Sequence, residues 1–325
     1  MVSIKILITP RSFASISDKP IKMLTEKGYE IQRNNTGRPY KKEEMLKLIR
    51  DVDGIIIGID ELSAEIIEKA NALKVISKYG IGVDNIDINM ATNKKIIVTN
   101  TPTANVDAVA DLAFGLILSL ARRIPEADKK TKSGEWEKII GKSVWEKTIG
   151  IIGLGKIGRQ VVKRAQGFEM NVLAYDIIKD KKFVQKCGIK YVNLEKLLQK
   201  SDYITIHIPL NDATRGMISY EELEKIKESS FLINTSRGGI VDEEALYNAL
   251  RNNKLRGAAL DVYNNEPPRK SPLKELDNVI MTPHIGAYTE EAIENMSIQA
   301  AQNLIDVLEG RKPKNRVQKK RDEME

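Results

Sequence analysis

Thr148–Gln160 reads TIGIIGLGKIGRQ, and this stretch decides the fold. Ile149-Gly150-Ile151-Ile152 is a short apolar run of strand character. Gly153, Gly155 and Gly158 follow in G-x-G-x-x-G spacing, and Ile157, Val161, Val162 and Ala165 then recur at helical spacing. The order is strand, tight turn, helix. In such a unit the first glycine permits the turn, the second lets backbone approach a pyrophosphate, and the third lets helix and strand pack closely. The helix start at Lys156 and Ile157 offers N–H groups and the positive end of a dipole to phosphate. The spacing alone also describes an ordinary glycine turn. Its surroundings set it apart. A second apolar strand, Asn171–Tyr175, ends in Asp176, 18 residues after Gly158. There a βαβ unit carries the carboxylate that accepts from a ribose diol. Asp176 favours NAD over NADP, because a 2′-phosphate would meet its charge and Ile177-Ile178 bring no compensating arginine.

Working outward, strand and helix patterns alternate on both sides of this turn. Downstream, strands are expected at Tyr203–Ile208, Phe231–Thr235, Ala258–Val262 and Val279–Thr282. With Ile149–Ile152 and Asn171–Tyr175 they make six, separated by helices at Lys156–Gly167, Leu194–Lys200, Tyr220–Ile226 and Asp242–Arg251. Upstream, Ile4–Thr9, Tyr29–Arg33, Gly54–Gly58, Leu73–Lys78 and Lys95–Thr99 are short apolar runs. Helical patterns separate them at Lys19–Lys27, Lys41–Arg50 and Ser63–Ala70. This alternation predicts an α/β protein of two doubly wound parallel-sheet domains. Ala104–Arg123 reads as a long helix crossing between domains, and Lys129–Lys142 as helix then loop. Trp136 and Trp145 there fit either a contact surface or local packing. The last amphipathic helix, Thr289–Glu309, is expected to return to the first sheet. The expected division is 1–101 plus 289–312, then 102–288, with a basic flexible tail at 313–325.

Bulk composition narrows the function classes. A chain of 325 residues with 42% hydrophobic content is long enough for two cored domains. The one cysteine, Cys187, excludes an intrachain disulfide and points to a reducing compartment. MVSIKILITP at the start lacks a signal-peptide pattern, and Leu112–Ala121 is about half a membrane span. A cytoplasmic enzyme with no membrane partner is expected. The net charge is +7, and residues 311–325 hold seven Lys/Arg against three Asp/Glu. That tail reads as a solvated terminus, since no aromatic or reading motif accompanies it, and no nucleic-acid partner is expected. No metal site is expected either.

Two histidines exist. His207, in the apolar YITIHIPL, suits a core or pocket wall. His284 follows a predicted strand, in a loop shaped by Pro283 and Gly286. Ligands bind at the carboxyl ends of strands in open α/β sheets, and imidazole is suited to general acid/base work near neutrality. A structural role stands beside that reading. Arg237, after Phe231–Ser236 and before Gly238-Gly239, is placed to bind a carboxylate in bidentate fashion. Glu266, after Ala258–Val262, is placed to orient the His284 ring. Singly, each is also readable as a surface charge. Together they form a clamp and an acid/base pair at one sheet edge.

SRGG (Ser236–Gly239), ALDV (Ala259–Val262) followed by Glu266-Pro267, and TPHIGA (Thr282–Ala287) resemble signatures of the D-isomer-specific 2-hydroxyacid dehydrogenases. GLGKIGR (Gly153–Arg159) and KYGIGVDNID (Lys78–Asp87) are similar to the same family. Among its members the chain looks most like short-type D-3-phosphoglycerate dehydrogenases. The resemblance implies a flavodoxin-like substrate domain and a Rossmann NAD-binding domain. It implies hydride transfer between NAD(H) and C2 of a 2-hydroxyacid or 2-ketoacid, with His284 as acid/base, Glu266 supporting it and Arg237 on the substrate carboxylate. Lys78, Tyr79 and Gly80 would help hold the substrate. NAD would lie over Gly153–Gly158 and Asp176, with Ile208, Pro209, Thr235, Ser236, Asp261, Gly286 and Ala287 lining its nicotinamide half. A homodimer through the NAD-binding domain, near Asn105–Arg123, is also implied.

3-Phosphoglycerate is the leading substrate by resemblance, with a place in serine biosynthesis. In such enzymes arginines for the phosphate sit in two strand-end loops. Here those loops read Gly58-Ile59-Asp60 and Lys78-Tyr79. Lys78 keeps one cation, Gly58 removes the other, and Asp60 is expected to repel phosphate. Glyoxylate, hydroxypyruvate or another small 2-ketoacid therefore stays open. A non-catalytic NADH-sensing corepressor is the alternative of another class.

Overall fold

Short β-branched runs closed by glycine or polar turns become parallel strands in the computed structural model, which describes residues 3–317. The described residues fall into two units, one running to Asn105 and resuming at Ala287, the other Val106–Gly286. The first unit holds β1 (Lys5–Ile8), α1 (Lys19–Thr25), β2 (Glu30–Arg33), α2 (Lys42–Leu48), β3 (Gly54–Ile57), α3 (Ala64–Glu68), β4 (Val75–Lys78), α4 (Ile88–Asn93) and β5 (Ile97–Thr99). Its sheet is parallel, in the order β2-β1-β3-β4-β5. That is the flavodoxin-like winding. Helix α4 has no counterpart in the sequence reading. Only Ala91 of this short helix is buried, so it carries no apolar stripe, and the Asp87 side chain caps it by accepting from Met90 N.

The second unit opens on α5 (Val106–Arg122) and α6 (Ile124–Lys132). There follow β6 (Thr148–Ile152), α7 (Lys156–Gly167), β7 (Asn171–Tyr175), α8 (Lys181–Cys187), β8 (Lys190–Tyr191), α9 (Leu194–Lys200) and β9 (Tyr203–Ile206). α10 (Tyr220–Lys225), β10 (Phe231–Asn234), α11 (Glu243–Arg251), β11 (Gly257–Leu260) and β12 (Val279–Met281) complete it. The sheet order is β12-β11-β10-β9-β6-β7-β8. The expected six strands are seven. The added one, β8, is a two-residue edge strand with no buried residue, too short for a period to show. Strands β6 and β9 are neighbours, so the chain reverses its winding between them. That reversal is the point at which doubly wound sheets bind nucleotides.

Each sheet is buried on both faces. Ile149 and Ile151 of β6 enter one core with α5 and α7 residues, while Ile152 enters another with α9 to α11 residues. Helix α5 packs on α7, β10 and β11, inside the second unit. The expectation that it crosses between domains is thus corrected. Its apolar positions Ala110, Ala113 and Ile117 are spent within one core. The final helix, α12 (Glu290–Leu308), belongs to the first unit, where Ala300 and Leu304 pack with Ile6, Ile56 and Val75.

The tail needs a correction too. Val317 N donates to Val98 O (2.8 Å), Asn100 N donates to Asn315 O (3.1 Å), and Arg316 faces Thr99 in antiparallel register. Residues 315–317 thereby cover the edge strand β5, whose unpaired backbone groups call for a partner. The rest of the expected tail, 318–325, lies outside the described residues. Among the described residues no helix is long and apolar enough to cross a membrane.

Candidate active site

The turn after β6 has the geometry its glycines require. Gly153 has φ +96°, and a side chain there would strike His207 O. A methyl group at Gly158 would be driven into the Gly153 carbonyl oxygen, so only glycine lets α7 start this close to β6. Space above Gly155 is open. Gly155 caps α7 without a side-chain bond, and the first turn, with Lys156 and Ile157, carries no acidic residue. An uncapped helix start beside an open glycine is a fit for a pyrophosphate. Asp176 Oδ2 accepts from Leu154 N (2.6 Å) and Oδ1 from Ile178 N (2.8 Å). The carboxylate is thus fixed at the end of β7, with lone pairs left for a diol.

Across the reversal point, His207, Ile208 and Pro209 follow β9. The His207 ring shares a hydrogen bond from Nε2 with Thr205 Oγ1 (2.9 Å), and its Nδ1 has no partner among the described residues. Burial pushes this imidazole down to about 3, so it stays neutral. Thr235, at the end of β10, also keeps a buried hydroxyl without a partner. Buried unpaired polar groups are costly; His207 stands beside the turn built for a nucleotide, and Thr235 stands at the end of the strand two places along the same sheet. Ser236 is held by Asn234, whose Oδ1 accepts from Ser236 N (3.0 Å) and Oγ (2.7 Å) while Nδ2 donates to Arg237 O (2.9 Å).

Arg237, Glu266 and His284 come together at the carboxyl edge of the same sheet. His284 Nδ1 lies 2.7 Å from Glu266 Oε2. Glu266 Oε1 accepts from Tyr263 N (3.1 Å). Burial pushes the Glu266 carboxyl up, but the His284 hydrogen bond and charge, the Tyr263 N–H and the nearby Arg237 guanidinium hold it below its ordinary value. The Arg237 guanidinium also donates to Ser236 O (2.7 Å). A side chain at Gly238 would collide with the Tyr263 carbonyl, so that glycine lets the loops after β10 and β11 meet. The His284 side chain is 40% exposed, within reach of a small ligand.

Asp261 does something the sequence did not show. Its carboxylate is 1% exposed. Oδ1 accepts from Thr282 Oγ1 (2.7 Å) and Ile285 N (2.8 Å), and Oδ2 accepts from Gly286 N (2.8 Å). Placed by sequence among nicotinamide-lining residues, it is a brace for the loop that carries His284. Tyr263 assists, its hydroxyl lying 2.9 Å from both Leu260 O and Thr282 O. No spacing signal marks this brace, because it depends on two loops closing on each other. Ala287, expected beside Gly286, falls in the first unit and packs with its core.

In the first unit, Lys78 ends β4, and Tyr79 and Gly80 follow it. Lys78 Nζ donates to Gly58 O (2.6 Å) and Asn85 Oδ1 (2.7 Å) and is buried. Tyr79 N pairs with Ile57 O (2.9 Å) and Gly80 N with Thr101 Oγ1 (2.9 Å). The N–H groups expected to help a carboxylate are therefore already used. Those of Ile81 and Gly82, next along, are engaged by no described residue. Asp60, the carboxylate expected to repel phosphate, lies in the interior. It is 3% exposed, accepts from the Thr9 hydroxyl and from Tyr40 N (2.8 Å), and is committed to holding two loops.

Among the described residues no group of His, Cys, Asp and Glu is arranged to hold a metal ion.

Residues 114–286 match the model of the D-isomer specific 2-hydroxyacid dehydrogenase, NAD binding domain. A D-3-phosphoglycerate dehydrogenase of Methanocaldococcus jannaschii is 43% identical over 96% of this chain, which spans 59% of that relative's length. A glyoxylate reductase of Thermococcus litoralis is 42% identical over 94% of this chain and 95% of its own. The solved structure of the TT0316 protein from Thermus thermophilus superposes with a TM-score of 0.89, at 35% identity, covering 97% of this chain and all of that one. The chain belongs to the D-isomer specific 2-hydroxyacid dehydrogenases.

Proposed function

We propose that this chain is an NAD-dependent D-2-hydroxyacid dehydrogenase that works on small, unphosphorylated 2-ketoacids of the glyoxylate and hydroxypyruvate kind. The 2.7 Å contact between His284 Nδ1 and Glu266 Oε2, beside Arg237 and on the sheet edge that carries the Gly153 turn, is the observation that supports it. The Gly153–Gly158 turn and Asp176 would hold NADH, which when bound would supply hydride for the C2 carbonyl. The Glu266 carboxylate holds the Nδ1 proton, fixes the tautomer and stabilises a charged ring. Nε2 of His284 is then the nitrogen that gives its proton to the C2 oxygen, and takes one back in the oxidation direction. The Arg237 guanidinium orients the substrate carboxylate by charge-assisted hydrogen bonds.

The substrate choice rests on the first unit. Gly58 brings no cation, and the Lys78 ammonium is drawn to the Gly58 carbonyl and the Asn85 amide. That arrangement supports a substrate tail without a phosphate, so the 3-phosphoglycerate reading becomes the second one. A homodimer through the second unit is proposed as well, supported by the exposed Trp136 (88%) and Ile140 (84%) beyond α6. Light scattering on the purified protein reads its mass.

A steady-state panel tests the activity. Glyoxylate, hydroxypyruvate and 3-phosphohydroxypyruvate are each supplied with NADH or NADPH. The expected order is kcat/KM at least ~10-fold higher for an unphosphorylated acid than for 3-phosphohydroxypyruvate, with NADH preferred. Faster reduction of the phosphorylated acid returns the assignment to phosphoglycerate oxidation. Tight NADH binding without turnover on any acid favours a sensing protein.

A further inference from the structure

The carboxyl edge of the seven-stranded sheet carries the site above, and its amino edge carries a cavity that the proposed reaction does not use. The segments leading into β6, β9 and β10 line a half-open cavity of ≈ 380 Å³, within the size range of small-ligand sites. Its floor is aromatic. Tyr203 and Phe231, both buried, stack with centroids 5.4 Å apart and planes 12° from parallel. Burial pushes the Tyr203 phenol up to about 12, so it remains a neutral hydroxyl that donates to Ser143 O (3.1 Å).

The walls are cationic. Lys142 and Lys147 line the cavity, and Lys142 Nζ donates to Ser229 O (2.9 Å). Burial lowers the Lys142 ammonium below its ordinary value. The positive charges of Arg256, Lys147 and Lys227 add to that lowering, against the opposite pull of Asp202. Asp202 is the carboxylate of the wall, and it is already committed. Oδ1 pairs with Lys227 Nζ (2.8 Å) and Oδ2 accepts from Thr148 N (2.9 Å). Four cations thus crowd one carboxylate whose oxygens are both engaged. Like charges gathered at a half-buried surface repel, and an anion in their midst relieves the repulsion.

We propose that this cavity binds a small multivalent oxyanion, gripped by Lys142 and Lys147 above the Tyr203–Phe231 floor, with Arg256, whose backbone N–H donates to Ser230 O (3.1 Å) next to the rim, adding its charge from outside the lining. The Tyr203 ring caps the apolar side, and the Ser143–Ser229 rim gives polar contacts. The site lies at the opposite edge of the sheet from Gly153, Arg237 and His284, so it is separate from the nucleotide turn.

Inorganic phosphate is the probe. It is titrated by calorimetry into the full chain saturated with NADH, which fills the turn at Gly153–Gly158, with ionic strength held constant by sodium chloride. Saturable binding is expected, weakened at least ~10-fold in Lys142→Gln/Lys147→Gln. The charge-preserving Lys142→Arg/Lys147→Arg and the active-site variant Arg237→Gln should bind like the parent. Phosphate should raise the thermal midpoint of the parent but not that of the glutamine variant. Arg256→Gln, a change at an exposed position, supplies an independent test of the same weakening. Absence of saturable heat beyond the chloride control, or binding equal in the parent and both glutamine variants, overturns the proposal.

Discussion

His284 sits at φ +53°, in the left-handed region, and such a backbone costs a non-glycine residue roughly 1–3 kcal/mol. The Asp261 carboxylate offsets that cost by taking Thr282 Oγ1, Ile285 N and Gly286 N at once. Asp261→Asn must turn an N–H toward one of those donors. It should lower kcat by ~10- to 100-fold and destabilise the chain by about 1–3 kcal/mol, measured by steady-state rates and by chemical denaturation. Glu266 is the other half of the device. Its depressed folded-state value means that its charge is present above the ordinary carboxylate range. The charge is lost only as pH falls through the lower, folded value. Glu266→Gln removes that charge at every pH and should cut turnover ~10- to 100-fold while NADH still binds. Arg237, Glu266 and His284 were legible because each follows a strand and carries its own chemistry. The bracing role of Asp261, and Asn234 altogether, were not, since an acid or amide that serves a neighbouring loop reads like any buried polar residue. That the N–H groups of Tyr79 and Gly80 are already paired was not legible either, because their pairing depends on β3 and on Thr101.

At the level of elements, the β6–α7 turn is the joint on which the nucleotide site depends. A methyl group at Gly158 has backbone, not a movable side chain, in its way. Gly158→Ala should therefore cost about 1–3 kcal/mol of stability and weaken NADH binding at least tenfold, about 1.4 kcal/mol or more, read by fluorescence titration. The end of β9 makes a pH prediction. His207 is held at about 3 by burial, against 6.5 in an open chain. Between those values the unfolded chain binds the proton and the native one does not. Stability should be full above pH 6.5 and fall as pH drops toward 3, by at most ~1.4 kcal/mol per pH unit. His207→Asn should flatten that slope in denaturation curves taken across the range. Elements with a full apolar period, such as α5, α7 and β6, could be read from sequence to within a residue or two. Elements without one, β8 and α4, could not, because pairing or capping forms them rather than an apolar stripe.

For the molecule as a whole, alternation of strand and helix was enough to foresee two parallel sheets and a nucleotide-binding second half. The first sheet's edge was not foreseen. Residues 315–317 look like part of a charged tail until β5 presents its open backbone to them. Substrate preference sits between these cases. Gly58 and Lys78 were visible in sequence, but the burial of Asp60 and its bonds to Thr9 and Tyr40 were not. Asp176 should set nucleotide choice for the whole enzyme. Asp176→Ala should narrow the NADH-over-NADPH preference in kcat/KM by at least ~10-fold, measured with one ketoacid and both cofactors.

The most direct measurement compares the parent and His284→Gln for NADH-dependent reduction of hydroxypyruvate, with NADH affinity determined on the same samples. The expected result is D-glycerate formed by the parent, a rate at least ~100-fold lower in the variant, and NADH dissociation constants alike within about twofold. A variant that keeps the parent rate would contradict the assignment of His284, and with it the mechanism built on the Glu266 pair.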